Sequence, residues 1–142
     1  MPQAAHTEQY RTPPVNERGR AYDPDVTDDE RTYALIMHLS LIAHLFLTLI
    51  AFGIPLIMWL VKKEESPFLD DHGREAVNFQ ISLLIWSIIF TIAAVPISIL
   101  TCGVGVIVAF IPTVVAVVGM IQAAVAANRG EFYRYPMTFR FV

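Results

Sequence analysis

The sequence lacks charged residues over two long intervals. No Lys, Arg, Asp or Glu occurs from Thr32 to Val61 or from Ala76 to Asn128, in a chain of 142 residues. A water-soluble domain carries charged residues at much closer spacing. Hydrophobic residues make up 55% of the chain and charged residues 16%, and both values are shifted toward membrane proteins. We therefore predict an all-α integral membrane protein, since both intervals are long enough for membrane helices.

Residue types that carry out chemistry are also scarce. The single cysteine, Cys102, cannot form an internal disulfide. The sequence contains no phosphate-binding loop, no paired-cysteine motif and no nucleophile beside a base. The net charge of −3 belongs to the polar parts of the chain and does not indicate nucleic acid as a partner. We expect a non-enzymatic protein with no cofactor and no metal ion, in contact with the lipid bilayer.

The apolar intervals divide the chain into a polar tail and a helical membrane domain. Residues 1–26 are polar and contain several prolines, which predicts a flexible tail. Thr27 and Glu30 have the spacing of a capping box, which begins the first helix. Residues 27–142 are predicted to form a small bundle of about four helices. The predicted ranges are 28–51, 55–63, 72–100 and 106–128, followed by an extended ribbon over 131–142.

A predicted break at Gly53 and Pro55 decides the membrane topology. Proline removes a backbone donor and disfavours helix at the preceding residue, so the first apolar interval divides in two. If the two helices form a hairpin, every Lys and Arg lies on one side, which the positive-inside rule makes cytoplasmic. If the interval crosses once, the basic residues lie on both sides. We favour the hairpin, with both termini in the cytoplasm.

The third predicted helix has one polar face. Asp71, Glu75, Asn78 and Ser82 recur every three or four residues, which places them on the same side of a helix. Such a face either lines a path for a substrate or makes hydrogen bonds within the bundle. We favour hydrogen bonds, because only the uncharged residues of this face go deep into the bilayer.

Histidines near carboxylates suggest an alternative function. A small transporter or metal-binding membrane protein would use His38, His72 and Glu75. His38 and His44 are six residues apart, so they lie on different sides of their helix and do not readily share one ion. Histidines that simply make hydrogen bonds within the membrane are the favoured interpretation.

The charged stretch from Lys62 to Gln80 is the predicted interaction surface, because it holds more polar groups than a turn and a helix cap require. The competing interpretation is that its basic residues only set the topology and bind lipid headgroups. The candidate surface includes two residues of the C-terminal ribbon and consists of Lys62, Lys63, Asp71, His72, Arg74, Glu75, Asn78, Arg134 and Tyr135. Helix packing is predicted for a stripe of small residues, namely Ala116, Gly119, Ala123 and Ala127.

Three motifs carry a resemblance to a known family. They are MHLS at residues 37–40, IMWLVKKEESPFLDDHGREAVNFQIS at 57–82 and AANRGEFYRYPMTFRFV at 126–142. They resemble small bacterial multi-pass membrane proteins grouped with the twenty-kilodalton subunit of the chloroplast inner-envelope protein import translocon. The resemblance implies about four membrane segments in the bacterial cytoplasmic membrane. It also implies a role in or beside a protein-conducting complex. The small size, the lack of catalytic groups and the small-residue stripe predict an accessory or structural subunit of a larger membrane complex, with protein partners.

Overall fold

The computed structural model describes residues 12–142, including the side chains of α1 at residues 28–42 and 53–62. Helix α1 spans Asp28–Lys62, α2 spans Pro67–Leu100 and α3 spans Ile111–Asn128, with a 3₁₀ helix at Val104–Phe110 before α3. The described residues contain four helices and no strand. The predicted all-α fold is confirmed.

Helix α1 folds back on itself. The Tyr33 hydroxyl donates a 2.8 Å hydrogen bond to the Met58 carbonyl, and the two residues are 25 positions apart. In a straight helix that separation is about 37 Å, so the chain reverses between them. The hairpin is therefore present. The helices predicted at 28–51 and 55–63 are not separated by a break at Gly53 and Pro55, since helical conformation continues through both residues and a proline can kink a helix without ending it. A turn at Pro55 could not bring Met58, three residues later, back to Tyr33, so the reversal lies earlier in the element.

The predicted capping box begins α1. The Glu30 amide donates to Thr27 Oγ1 over 3.3 Å, and the Thr27 amide donates to Glu30 Oε2 over 2.8 Å. Two otherwise unpaired donors at the end of the helix are thereby satisfied.

Helix α2 begins earlier than the predicted residue 72. Ser66 is its N-cap, with Oγ accepting from the Phe68 amide over 3.2 Å. Pro67 occupies the first helical position, where its fixed φ suits a helix and its missing donor costs nothing. Asp70 and Asp71 lie within the helix and pair with arginines.

A tight turn joins α2 to the 3₁₀ helix. Cys102 and Gly103 both have positive φ, at 52° and 95°. Gly105 lies directly against the backbone of Ile97 and Ser98, where a Cβ atom would overlap. This close contact packs the start of the 3₁₀ helix on the end of α2. The predicted helix at 106–128 begins as an α-helix only at Ile111.

Within the described part of the chain, two segments are long and apolar enough to cross a membrane, Pro67–Leu100 and Val104–Asn128. Large apolar side chains are exposed along much of both segments, which is the pattern of a surface in contact with lipid. They include Leu84, Ile88, Ile89, Ile92, Val95, Ile99, Leu100, Val106, Ile107, Phe110, Val114, Val118, Ile121 and Val125.

Residues 12–26 pack against the end of α3, in contrast to the predicted flexible tail. Tyr22 forms an isolated bridge with Glu131, and the Asp23 amide donates to the Gly130 carbonyl over 3.0 Å. Val26 is buried. This segment is ordered because its polar side chains bind Glu131, which composition alone does not reveal. Residues 1–11 of the predicted tail lie outside the described part of the chain.

Candidate functional site

The polar face of α2 is buried. We use "α2 polar face" for Asp71, Glu75, Asn78 and Ser82, and "C-terminal segment" for residues 131–142. Glu75 is 3% exposed, Asn78 2% and Ser82 1%. Burial of polar groups to this degree is costly unless each has a hydrogen-bond partner. The C-terminal segment supplies those partners.

The first contact is an ion pair near the start of α2. Both terminal nitrogens of Arg134 bind the Asp71 carboxylate, at 2.7 Å and 2.6 Å. This two-point geometry fixes the orientation of the arginine as well as its position. The next residue continues the contact, since the Tyr135 amide donates to Glu75 Oε1 over 2.8 Å.

The C-terminal segment then runs along α2 and turns at Met137. Met137 has a φ of 60°, and its carbonyl accepts a 3.0 Å hydrogen bond from Trp86 Nε1. The Phe139 amide donates to Ser82 Oγ over 2.8 Å, and the Phe139 ring stacks on Trp86 with centroids 5.8 Å apart. From Asp71 to Trp86 the segment follows about 22 Å of helix.

After the turn the segment comes back to Asn78. Asn78 Oδ1 accepts from the amides of Phe141 and Val142, at 2.8 Å and 3.1 Å. Its Nδ2 donates to the Val142 carbonyl over 3.0 Å. Non-helical backbone is tolerated at membrane depth only where its polar groups are satisfied by protein. The α2 polar face therefore binds backbone, as the favoured interpretation of intramolecular hydrogen bonds requires, although the partner is a ribbon rather than a helix.

Two histidines and a tyrosine form a buried chain beside this contact. His38 Nε2 lies 2.7 Å from His72 Nδ1, and His38 Nδ1 lies 2.9 Å from the Tyr135 hydroxyl. Each contact needs one donor and one acceptor, so the tautomers of the two rings are linked. The chain ties α1, α2 and the C-terminal segment together at one point.

The three residues of the alternative function thus come together around Tyr135. His38 binds its hydroxyl and Glu75 binds its amide, while His72 binds His38. Among the described side chains, those of residues 12–42 and 53–142, no group of three or more His, Cys, Asp or Glu is placed to hold a metal ion. His44 lies outside the described side chains.

Replacing His38 with leucine tests the energetic role of the buried chain. The substitution leaves the Tyr135 hydroxyl and His72 Nδ1 buried without this partner, which we expect to lower the free energy of unfolding by about 2–4 kcal/mol. Chemical unfolding in mixed micelles measures the change. His38→Gln keeps a donor and an acceptor and is expected to recover part of the loss. Equal stabilities for His38→Leu and wild type would contradict the assignment.

The Tyr135 hydroxyl makes stability depend on alkaline pH. Burial, together with nearby Tyr133 and Glu75, raises the pKa of Tyr135 well above 10.0. The unfolded chain then loses the tyrosine proton at lower pH than the folded chain. The stabilising contribution is therefore complete below about pH 10 and declines as the pH rises further. We expect Tyr135→Phe to flatten this decline in unfolding titrations, and an unchanged slope would contradict the prediction.

The remaining residues of the predicted interaction surface lie where α1 ends and α2 begins. Lys62 pairs with Glu65 at 2.6 Å, and Arg74 pairs with Asp70 at 2.9 Å. The Lys63 ammonium lies 5.9 Å from the centroid of the Trp59 ring. These residues make local surface contacts, which contribute little to stability.

The predicted small-residue stripe of α3 is buried inside the molecule. Ala116 and Ala123 belong to the main apolar core, and Ala127 packs in a second cluster with Phe68. A Cβ atom on Gly119 would lie 3.1 Å from the Tyr135 ring. The stripe therefore gives α1 and the C-terminal segment close access to α3.

Two residues of the site were missed by sequence reasoning. The first is Trp86, whose indole N–H binds the Met137 carbonyl. Its position one turn beyond Ser82 was a usable signal. Glu131 is 3% exposed and anchors Asn16, Arg18 and Arg20. No local pattern connects Glu131 with residues more than a hundred positions earlier.

Taken together, the lipid-facing helices and the docked C-terminal segment define a small helical membrane protein that folds its C-terminal segment onto its own central helix. The chain belongs to the magnetosome magnetite crystal formation protein family, whose family model matches residues 29–142. Searches of curated proteins and of solved structures found no match.

The family match corrects the resemblance to the protein import component, which was wrong. The three motifs that carried the resemblance contain His38, His72 and Tyr135, which contact one another in the bundle core. The motif residues therefore take part in packing within the bundle. They do not indicate a function in protein translocation, and the predicted connection to translocation is withdrawn.

Proposed function

We propose that this chain is a non-enzymatic structural protein of the membrane in which a magnetite crystal forms. The family description supports the connection with magnetite. The occupied α2 polar face is the observation that carries the structural role. A polar face that reaches into a bilayer can line a path for a substrate. Here Glu75, Asn78 and Ser82 bind the backbone of the C-terminal segment instead.

Deletion of the gene in its native bacterium tests this function. Electron microscopy would measure the number, size and shape of magnetite crystals in wild-type cells, in the deletion strain and after complementation. We expect the deletion to change crystal size or shape and the wild-type gene to restore them. Unchanged crystals in the deletion strain would refute the proposal.

Protein partners in the same membrane complete the proposal. The end of the bundle that carries Lys62, Lys63 and Arg74 has exposed charged groups, which suits contact with other subunits. Purification in mild detergent with a measurement of molecular mass tests for them. A monomer without a stoichiometric companion would count against a role within a complex.

The arrangement of the chain ends supports a cytoplasmic location for both. Tyr22 bridges to Glu131, and Lys62 lies over the Tyr33 ring at 5.9 Å, so the basic segments gather at one end of the bundle. The positive-inside rule assigns such an end to the cytoplasm.

Cysteine labelling of intact cells tests this orientation with an internal control. Cys102 is exposed in the turn after α2, some thirty residues of helix from the basic end by the length of α2. In a bacterial host that forms no magnetite and inserts the protein into its cytoplasmic membrane, an impermeant reagent added outside is expected to label Cys102 and to leave a Gln3→Cys substitution in a Cys102→Ser background unlabelled. Labelling of the introduced cysteine would overturn the orientation.

A further inference from the structure

A recess of about 360 Å³ lies between the N-terminal residues and the C-terminal segment. We call it the arginine recess. Two of its lining residues carry a positive charge, and none is acidic. The lining consists of Gly19, Arg20, Ala21, Phe132, Tyr133 and Arg134.

Buried Glu131 holds the first arginine of the recess in place. Its Oε2 accepts from Arg20 Nη1 over 3.4 Å, and its Oε1 accepts from Arg18 Nη1 over 3.1 Å and from Asn16 Nδ2 over 2.9 Å. The Arg20 guanidinium also lies 5.4 Å from the centroid of the Tyr133 ring. The ion pair with Glu131 engages one of its terminal nitrogens, so its other nitrogens can donate to a further acceptor.

The two arginines on the N-terminal side of the recess are only partly neutralised. Arg18 and Arg20 together share the single carboxylate of Glu131. Arg134 is neutralised by its two-point contact with Asp71. A group with one negative charge and several acceptor oxygens complements this arrangement, and guanidinium groups are well suited to phosphate.

The position of the recess in the molecule indicates where such a group comes from. The exposed apolar side chains of α3 extend to Val125, and α3 ends at Asn128, shortly before Phe132 and Tyr133. Aromatic residues and arginines beyond the end of a lipid-facing helix lie at headgroup level. We propose that the arginine recess binds the phosphate group of an anionic phospholipid.

Lipid retention by the purified full-length protein tests this site. Native mass spectrometry would compare bound phosphatidylglycerol with bound phosphatidylcholine for wild type, Arg20→Gln and Arg74→Gln. Arg74 is the matched control, because it is a half-exposed arginine paired with Asp70 outside the recess. We expect wild type and Arg74→Gln to retain one phosphatidylglycerol in preference to phosphatidylcholine. Arg20→Gln is expected to bind phosphatidylglycerol at least about tenfold more weakly than wild type.

Two further measurements distinguish lipid binding from binding of a soluble phosphate and from a loss of folding. Glycerol 3-phosphate is expected not to displace the lipid at equal concentration, and Arg20→Lys, which keeps the charge, is expected to retain more lipid than Arg20→Gln. Equal retention of the two lipids, equal losses for Arg20→Gln and Arg74→Gln, or displacement by glycerol 3-phosphate would overturn the proposal. The result does not depend on magnetite formation, so the site and the proposed function can fail separately.

Discussion

Replacing Asn78 with leucine is expected to free the end of the C-terminal segment from α2. Asn78 makes three hydrogen bonds to the backbone of Phe141 and Val142, and leucine makes none of them. The unpaired backbone groups must move into water or remain buried at a cost. We expect the free energy of unfolding to fall by about 3 kcal/mol.

Limited digestion with trypsin measures the release directly. Arg134 and Arg140 lie within the C-terminal segment, so cleavage after either residue reports its exposure. Asn78→Leu is expected to be cut there faster than wild type. The control is Asn128→Leu, which alters an exposed asparagine at the end of α3 and is expected to be cut at the wild-type rate. Equal cleavage of all three proteins would show that Asn78 does not hold the segment.

Replacing Gly73 with alanine is expected to disrupt the contact between α1 and α2. A Cβ atom on Gly73 would overlap the Trp59 side chain. Trp59 has little freedom to move, because it is 8% exposed and its Nε1 donates to Asp70 over 2.9 Å. Overpacking of this kind typically costs 1–3 kcal/mol, and we expect a loss of about 3 kcal/mol in the free energy of unfolding.

Gly53→Ala is the matched control for Gly73→Ala. Both residues lie inside helices, but the nearest atom to a Cβ on Gly53 is Ile57 Cδ1 at 3.9 Å. Alanine there is expected to stabilise the protein by about 0.5–1 kcal/mol, because glycine is the poorer helix former. Unfolding in mixed micelles compares the two variants. A loss of similar size in both would contradict the assigned contact.

The features of the fold that the sequence predicts are those with local causes. The capping box at Thr27 depends on residues three positions apart, and the membrane helices depend on continuous apolar intervals. The shared face of Asp71, Glu75, Asn78 and Ser82 follows from helical spacing. Each of these patterns can be read within a few turns of one helix.

The partners of those residues depend on long-range contacts. Asn78 binds residues 63 and 64 positions later, and Arg18 binds Glu131 113 positions later. The sequence predicts an extended ribbon over residues 131–142, but this local pattern does not identify the surface that the ribbon covers. Residues 12–26 have the polar composition of a flexible tail. Their contact with the buried Glu131 is also long-range, so composition does not predict it.

Amide hydrogen exchange of the wild-type protein in lipid nanodiscs tests whether the C-terminal segment is docked on α2. The amides of Tyr135, Phe139 and Phe141 donate to Glu75, Ser82 and Asn78. We predict that these three amides exchange orders of magnitude more slowly than those of an unstructured chain, in the range of amides in the first half of α2. Exchange of all three amides at the rate of an unstructured chain would show that the C-terminal segment is not docked on α2.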